Sequence, residues 1–497
     1  MKLRNGAAAA LLAAVLLVTT AGCGRTPGRT SDATDDTTAD AAPGALTLPP
    51  VETPTAAPDH IRTLPEYESP TEPTDGHTWE LTAIPTDYDK DVPCAGSFRC
   101  TDCGKVEKRT ITSADLGLPV IRLEGALNDA ENKGAAQVDF IYDDGARSFA
   151  CRAELTVQGA TSAGFPKKNY TVRLMTEDGE KYKVRLADSW GKHSKYCLKA
   201  NYVDFTQARN VVSGRLYGQI AASGKVSEGL SYAPNYGAVD GFPVAVFASG
   251  RFYGLCTLNI PKDEWMFGMS GSDKQQALLM GADWTEHVAL RKTTSSFKHG
   301  WELEYCSTED TSWVMPSFNE MIDFINTSND TRFKKFVDRY VDVDRAIDAL
   351  IFTTVIHGSD NVSKNILWAT YDGQVWFPSV YDMDDSWGMV WNGQDYYSAK
   401  DFPFSEVAGR NALWEKLWKN FRPEIKARYQ ELRRGPLSIA NIKAEFGAFF
   451  DQIPDCLYEA DAARWHDIPS AETGTYKQIV QYASQRLQYL DKKIGSS

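Results

Sequence analysis

Residues 357–385 read HGSDNVSKNILWATYDGQVWFPSVYDMDD. Two Asp-rich clusters flank an apolar, aromatic segment. Asp360 and Asn365 stand at one end, and Asp382, Asp384 and Asp385 at the other. Ile366 to Tyr371 and Gln374 to Tyr381 have strand composition, and Asp372-Gly373 between them is a strong hairpin signal, because its turn needs positive φ at both positions. Folding about that pair places Asn365 opposite Val380, two residues from Asp382. Pro378 donates no ladder hydrogen bond, so the second strand is expected at a sheet edge or a bulge. The open end of this hairpin gathers Asp360, Asn365, Asp382 and Asp384. So much negative charge in one place calls for a cation.

On either side of the hairpin the chain reads as helix. Helical periodicity runs through 318–325, 331–340 and 343–357, then again at about 411–432 and 439–457. Before Pro316 it reads as strand. SFACRAELTVQ (148–158) and NYTVRLM (169–175) alternate polar and apolar residues, and 196–201, 244–248, 252–260 and 300–307 follow suit. A helix from about Asp204 to Ala222, capped by Asp204 or Thr206, interrupts them, with Arg209 and Asn210 in its first turns. The expected class is α+β, with a strand-rich lobe, a helical lobe and the acidic hairpin at their junction.

The acids have a chemical reading. Phosphoryl transfer needs Mg²⁺ held by hard oxygen ligands, a carboxylate to orient the acceptor, and cations on the phosphates. Asp360 and Asn365 have the Asp-x₄-Asn spacing of a protein-kinase catalytic loop, and Asp382 follows after a strand pair, as a second metal-binding acid does there. His357 lies one residue too far from Asp360 to complete an H-R-D motif. The competing reading is that these acids cap turns or hold Ca²⁺. The loop GATSAGFPKK (159–168) ends in Lys167 and Lys168. Small-residue backbone can approach phosphate closely, although for this loop taken alone a hairpin loop with solvated lysines is the favoured reading.

The N-terminus indicates export. Lys2 and Arg4 precede twelve apolar residues, Ala7 to Val18, too few to span a bilayer. Thr20-Ala21-Gly22-Cys23 resembles a bacterial lipobox, so 1–23 is expected to be a lipoprotein signal and Cys23 the lipidated residue; an ordinary secretory signal is the alternative. Residues 24–75, rich in Thr, Pro, Ala and Asp, form a tether too poor in large apolar residues to fold. The formal net charge of −13 argues against a nucleic-acid partner.

Of the nine cysteines, three cluster in PCAGSFRCTDCGK. With His77, the residues Cys94, Cys100 and Cys103 supply four ligands to Zn²⁺, or disulfides or free thiols in an exported protein. They define a small module at 76–109. Cys151, Cys197, Cys256, Cys306 and Cys456 are expected to be small core residues, and the tryptophans core rather than a glycan platform.

Several stretches together resemble the CotH (spore coat protein H) kinase family: QGATSAGFPKKNYTVRL, YCLKANYVDFTQARN, VAVFASGRFYGLCTLNI, and SDNVSKNILW with VYDMDDSWG. The resemblance implies a reduced, two-lobed kinase-like domain over 110–470, with a helical tail at 471–497. It implies use of ATP with Mg²⁺ or Mn²⁺ to phosphorylate Ser or Thr of exported or surface proteins. Asp360 is then the catalytic acid–base residue, and Asn365, Asp382 and Asp384 lie at the metal. Lys167 and Lys168 contact phosphates, Arg209 lies at the nucleotide, and Tyr381 stacks on the base or packs as core. The chain departs from the family pattern at Gln158, at Ala160-Thr161, at Tyr381 and at Asn259, where many relatives carry Glu. The expected protein is a monomeric kinase held at the cell surface by its lipid alone. The alternative is a catalytically silent, adhesive lipoprotein of the same fold.

Overall fold

In SFACRAELTVQ the side chains of Cys151, Ala153 and Leu155 are buried while Arg152 between them is exposed. That period of two returns at 136–143 and 169–175, whereas 241–248 and 251–259 are buried at nearly every position. The computed structural model describes residues 76–269, 271 and 275–495; the signal segment, Cys23 and the tether lie outside the described residues. β1 (Trp79–Ala83), β2 (Ala95–Cys100) and β3 (Val106–Thr110) form a small antiparallel sheet with β2 central.

Seven strands then close a barrel: β4 (Val120–Gly125), β5 (Ala136–Asp143), β6 (Ser148–Gln158), β7 (Asn169–Met175), β8 (Lys195–Lys199), β9 (Gly241–Ala248) and β10 (Arg251–Asn259). Neighbours are antiparallel except β4 and β9, which run parallel after the crossover through the helix Arg209–Ala222. The α+β class holds. The strand-rich half, expected as one lobe of a kinase-like pair, is a closed barrel. The hairpin β9–β10, turned at Ser249-Gly250, fits between β4 and β8, so no barrel edge is left unpaired.

Alternation gives the barrel two characters. Tyr170, Val172, Leu174 and Leu198 lie on its apolar side. Gln158, Asn169, Thr171, Cys197, Lys199 and Asn259 lie on the opposite face, because Cys197 pairs with Thr171 and with Asn259 while Leu198 pairs with Tyr170. That second, polar face supports the site described below.

The third sheet has the order β12-β11-β13-β14, with β11 (Ala277–Gly281), β12 (Trp301–Cys306), β13 (Ile366–Thr370) and β14 (Trp376–Val380). The hairpin exists, with Pro378 on the edge strand, but its register differs by one residue: Ile366, not Asn365, faces Val380. The turn is longer than the Asp-Gly pair alone. Asp372 Oδ1 accepts from the amides of Gln374 and Val375, both at 2.9 Å, while Gly373 takes φ 68°. Every residue of both strands is buried, so no polar side selects one register over the other in the sequence.

Around this sheet pack the helices of the second half. Val343–Ile356 is capped by Asp342, whose carboxylate accepts from Arg345 N at 3.1 Å, and it is buried along almost its whole length. Phe318 meets Trp301, Trp368 and Trp376 edge-on at 4.8, 5.7 and 4.9 Å, so these tryptophans are core. Two helical stretches break where proline dictates: 411–432 divides into Ala412–Asn420 and Arg422–Leu432, and 439–457 into Ile439–Phe450 and Asp455–Arg464 after Pro454. The last helix is Tyr476–Gly495. Among the described residues no helix is long and apolar enough to cross a membrane.

Candidate functional site

The hairpin delivers both acidic clusters to one place. β13 is preceded by Asn365 and β14 is followed by Tyr381 and Asp382; Tyr381 N donates to Asn365 O at 2.9 Å, extending the ladder one step. The buried Asn361 stitches both segments, its Nδ2 reaching Tyr381 O at 2.8 Å and Asn365 O at 3.3 Å. Each acidic loop is bounded by residues in the left-handed region: His357 (φ 58°) and Asn365 (φ 56°) enclose the first, Asp382 (φ 55°) and Trp387 (φ 54°) the second. None is glycine, and Asn and Asp are among the few side chains that tolerate this backbone.

The helix Arg209–Ala222 holds the second loop from behind. Arg209 Nε donates to Ser386 O at 3.1 Å, Asn210 Oδ1 accepts from Met383 N at 3.2 Å, and Ser213 Oγ accepts from Trp387 Nε1 at 2.8 Å. This helix begins at Arg209 rather than Asp204. The intervening residues form a loop in which the Asp204 carboxylate accepts from Arg209 N at 3.0 Å and pairs with the Arg209 guanidinium.

Charge in the cluster is under-compensated. Lys364 Nζ lies 2.7 Å from Asp360 Oδ2, and Lys199 Nζ lies 3.7 Å from Asp382 Oδ1. Asp384 has neither ammonium as a direct partner; burial first, then the charge of Asp382, pushes its carboxyl up to about 7 against the pull of Lys199. Burial, followed by the charge of Asp360, raises Asp385 well above the carboxylate range. Ser359 Oγ donates to Asp385 Oδ2 at 3.3 Å, whereas the buried Oδ1 has no hydrogen-bond partner among the described residues. Neighbouring carboxylates that raise one another, one with an orphaned buried oxygen, offer the hard oxygen donors that a divalent cation such as Mg²⁺ or Mn²⁺ takes.

Lys199 was not singled out from the sequence. It ends β8 on the polar face of the barrel with its side chain only 9 % exposed. Burial works to lower its ammonium, but Asp382, the Cys197 thiol and Asp384 outweigh that and leave it raised. The available signal was the lysine that closes the apolar run Tyr196-Cys197-Leu198, since such a charge is rarely buried without a partner. Beside it, Asn169 Oδ1 accepts from Ala200 N at 2.7 Å and Asn169 Nδ2 donates to Ser162 Oγ at 3.2 Å, tying the loop 159–165 to the end of β8.

The other predicted nucleotide contacts are placed differently. Lys167 is fully buried, its ammonium 2.9 Å from Asp461 and 2.5 Å from Leu255 O, so it has nothing left to offer a phosphate. Lys168 Nζ donates to Ala163 O at 2.8 Å and pairs with Glu131 at 3.2 Å, bracing the loop. Arg209 is fully buried and engages Ser386 O, Asp204 and Gln478, so it positions the acidic loop instead of meeting a ligand. Tyr381 is 3 % exposed, which makes it core and withdraws its ring from base stacking.

In the N-terminal module the Cys100 and Cys103 sulfurs lie 3.3 and 3.4 Å from His77 Nδ1. Cys94 does not join them: it is 3 % exposed, packed into the core, and its backbone amide donates to Gly250 O at 2.8 Å. Among the described residues every cysteine is a free thiol. Cys151, Cys197 and Cys256 are buried, while Cys306 and Cys456 are only partly so.

Comparison with protein families finds one that fits this arrangement. The family described as CotH kinase protein matches residues 155–490, a span that covers the barrel from β6 onward, the hairpin and the helices that follow. No curated protein matches the chain.

Proposed function

Since the chain belongs to the CotH kinase protein family, we propose that its acidic cleft transfers the γ-phosphoryl group of ATP to Ser or Thr hydroxyls of exported or surface proteins. The observation that carries this reading is the convergence of Asp360, Asp382 and Asp384 at the open end of one hairpin, with Lys199 of the barrel facing them. Asn365, Asp382 and Asp384 would hold Mg²⁺ or Mn²⁺, which neutralises phosphate charge as the transition state forms. Lys199 is the ammonium available to a phosphate oxygen at the cleft. Asp360, oriented by Lys364, accepts the acceptor hydroxyl proton as the hydroxyl oxygen bonds to the γ-phosphorus and ADP departs. Lys168 and Asn169 act indirectly, by fixing the small-residue loop beside Lys199. A lipid on Cys23 and the long tether would place this chemistry at the outer surface of the membrane.

The test is transfer of label from γ-labelled ATP to the chain itself or to a casein-like acceptor with Mg²⁺ or Mn²⁺. Asp360→Asn is expected to lower turnover at least 100-fold with nucleotide binding retained, and Asp382→Asn to weaken metal-dependent nucleotide binding itself. Thermal stabilisation by ATP without transfer would replace the kinase with a nucleotide-binding surface module. Absence of both transfer and stabilisation would overturn the reading.

A further inference from the structure

The module ahead of the barrel contains a second arrangement, independent of the acidic cleft. Its three short strands have few large buried side chains of their own: Phe98 is 1 % exposed and Cys100 1 %, while most of β1 and β3 stays at the surface. Cys94, Phe98 and Ile111 join the main core, but a sheet this small has little core of its own, so a cross-link between its parts adds to what that packing supplies. His77 precedes β1, whereas Cys100 ends β2 and Cys103 lies in the β2–β3 turn, so anything joining them ties the start of the module to its central hairpin.

The ligand atoms of His77, Cys100 and Cys103 all lie within 4.8 Å of one another. Both sulfurs approach the same ring nitrogen, at 3.3 and 3.4 Å. Bonds of about 2.3 Å to sulfur and about 2.0 Å to nitrogen at tetrahedral angles give an N···S edge of about 3.5 Å, close to both observed distances. The turn is also shaped for thiolates. Gly104 takes φ 75° and its amide returns to Cys100 O at 2.9 Å, while the backbone N–H groups of Asp102 and Cys103 point at the Cys100 sulfur.

We propose that His77, Cys100 and Cys103 bind Zn²⁺ as a three-ligand structural site, with Cys94 excluded and the fourth position, on the exposed Cys103 side, taken by water. Binding releases the two thiol protons and forms two Zn–S bonds and one Zn–N bond; no oxidant or reductant takes part. The ion then does for β1–β3 what a larger core does elsewhere.

Cobalt substitution tests this on the reduced full chain, with excess Mg²⁺ present to occupy the carboxylates of the cleft. Co²⁺ is expected to produce thiolate-to-metal charge-transfer absorption that saturates at one equivalent and is displaced by Zn²⁺. Cys103→Ser, an exposed position, is expected to abolish that absorption, and Cys94→Ala to leave it unchanged. A Co²⁺ complex lacking thiolate absorption would overturn the proposal. So would a Cys100–Cys103 disulfide, found by mass mapping of protein alkylated at the moment of lysis. Neither result touches the kinase reading, because activity is not the readout.

Discussion

Lys199 makes the sharpest case at the scale of single residues, because the acidic segment's own lysine, Lys364, is engaged by Asp360 and this second ammonium comes from the barrel. Lys199→Met leaves Asp382 without its nearest countercharge and is expected to reduce kcat/KM about 100-fold or more in steady-state assays with ATP. His357 gives a prediction of a different kind. Its ring stacks on Tyr397 at 4.4 Å and Phe402 at 4.5 Å, its Nδ1 meets Tyr482 Oη at 2.7 Å, and burial, then the charges of Arg486 and Arg410, push it down to about 3. A base with a depressed folded-state pKa contributes stability that is present above its unfolded value near 6.5 and is lost as pH falls toward 3, because only the unfolded chain takes up the proton. The linkage amounts to roughly 4 kcal/mol between pH 7 and pH 3. His357→Asn, which keeps the left-handed backbone accessible, is expected to be less stable at pH 7 but to show a shallower acid limb. Urea midpoints measured against pH for both proteins check it.

At the scale of elements, the helix Arg209–Ala222 and the acidic hairpin work as a unit. Asn210→Ala removes the acceptor for Met383 N and is expected to cost about 1 kcal/mol of stability. The metal concentration needed for half-maximal activity should rise alongside, measured by titrating Mg²⁺ against thermal midpoint and rate. Much of the acidic half of the site was legible in the sequence because Asp360, Asn365, Asp382 and Asp384 are near neighbours along the chain and one hairpin suffices to unite them. The one-residue error in register came from strands buried on both faces, where alternation carries no information. The basic half was not legible. Lys199 and Lys167 both lie in strand or loop contexts whose partners, Asp382 and Asp461, are far away in sequence, and only the folded chain shows that the first faces the cleft and the second does not. Barrel closure escaped for the same reason: nothing local tells β10 to pair with β8 as well as with β9.

Across the whole molecule, the Lys167–Asp461 pair fastens the helix Asp455–Arg464 to the barrel, with Asp461 Oδ1 also accepting from Leu255 N at 2.9 Å and Trp465 Nε1 donating to Tyr253 O at 2.8 Å. Lys167→Met alone buries an unpaired carboxylate and is expected to cost about 3–5 kcal/mol, whereas Lys167→Met with Asp461→Leu should recover most of that loss. Chemical denaturation of the two single variants and the double variant measures the coupling; if Lys167 instead served a ligand, the single substitution would spare stability and impair turnover. The position of β13 has a consequence for how such a protein ages in a lineage. It is an interior strand, paired with β11 on one side and β14 on the other, so the segment that carries the acids also holds a sheet together. A descendant that no longer needs the chemistry cannot shed the hairpin without losing the fold. It can only exchange carboxylates one at a time. Retired copies should therefore keep the outline of a working protein and differ from it by a handful of letters at Asp360, Asp382 and Asp384.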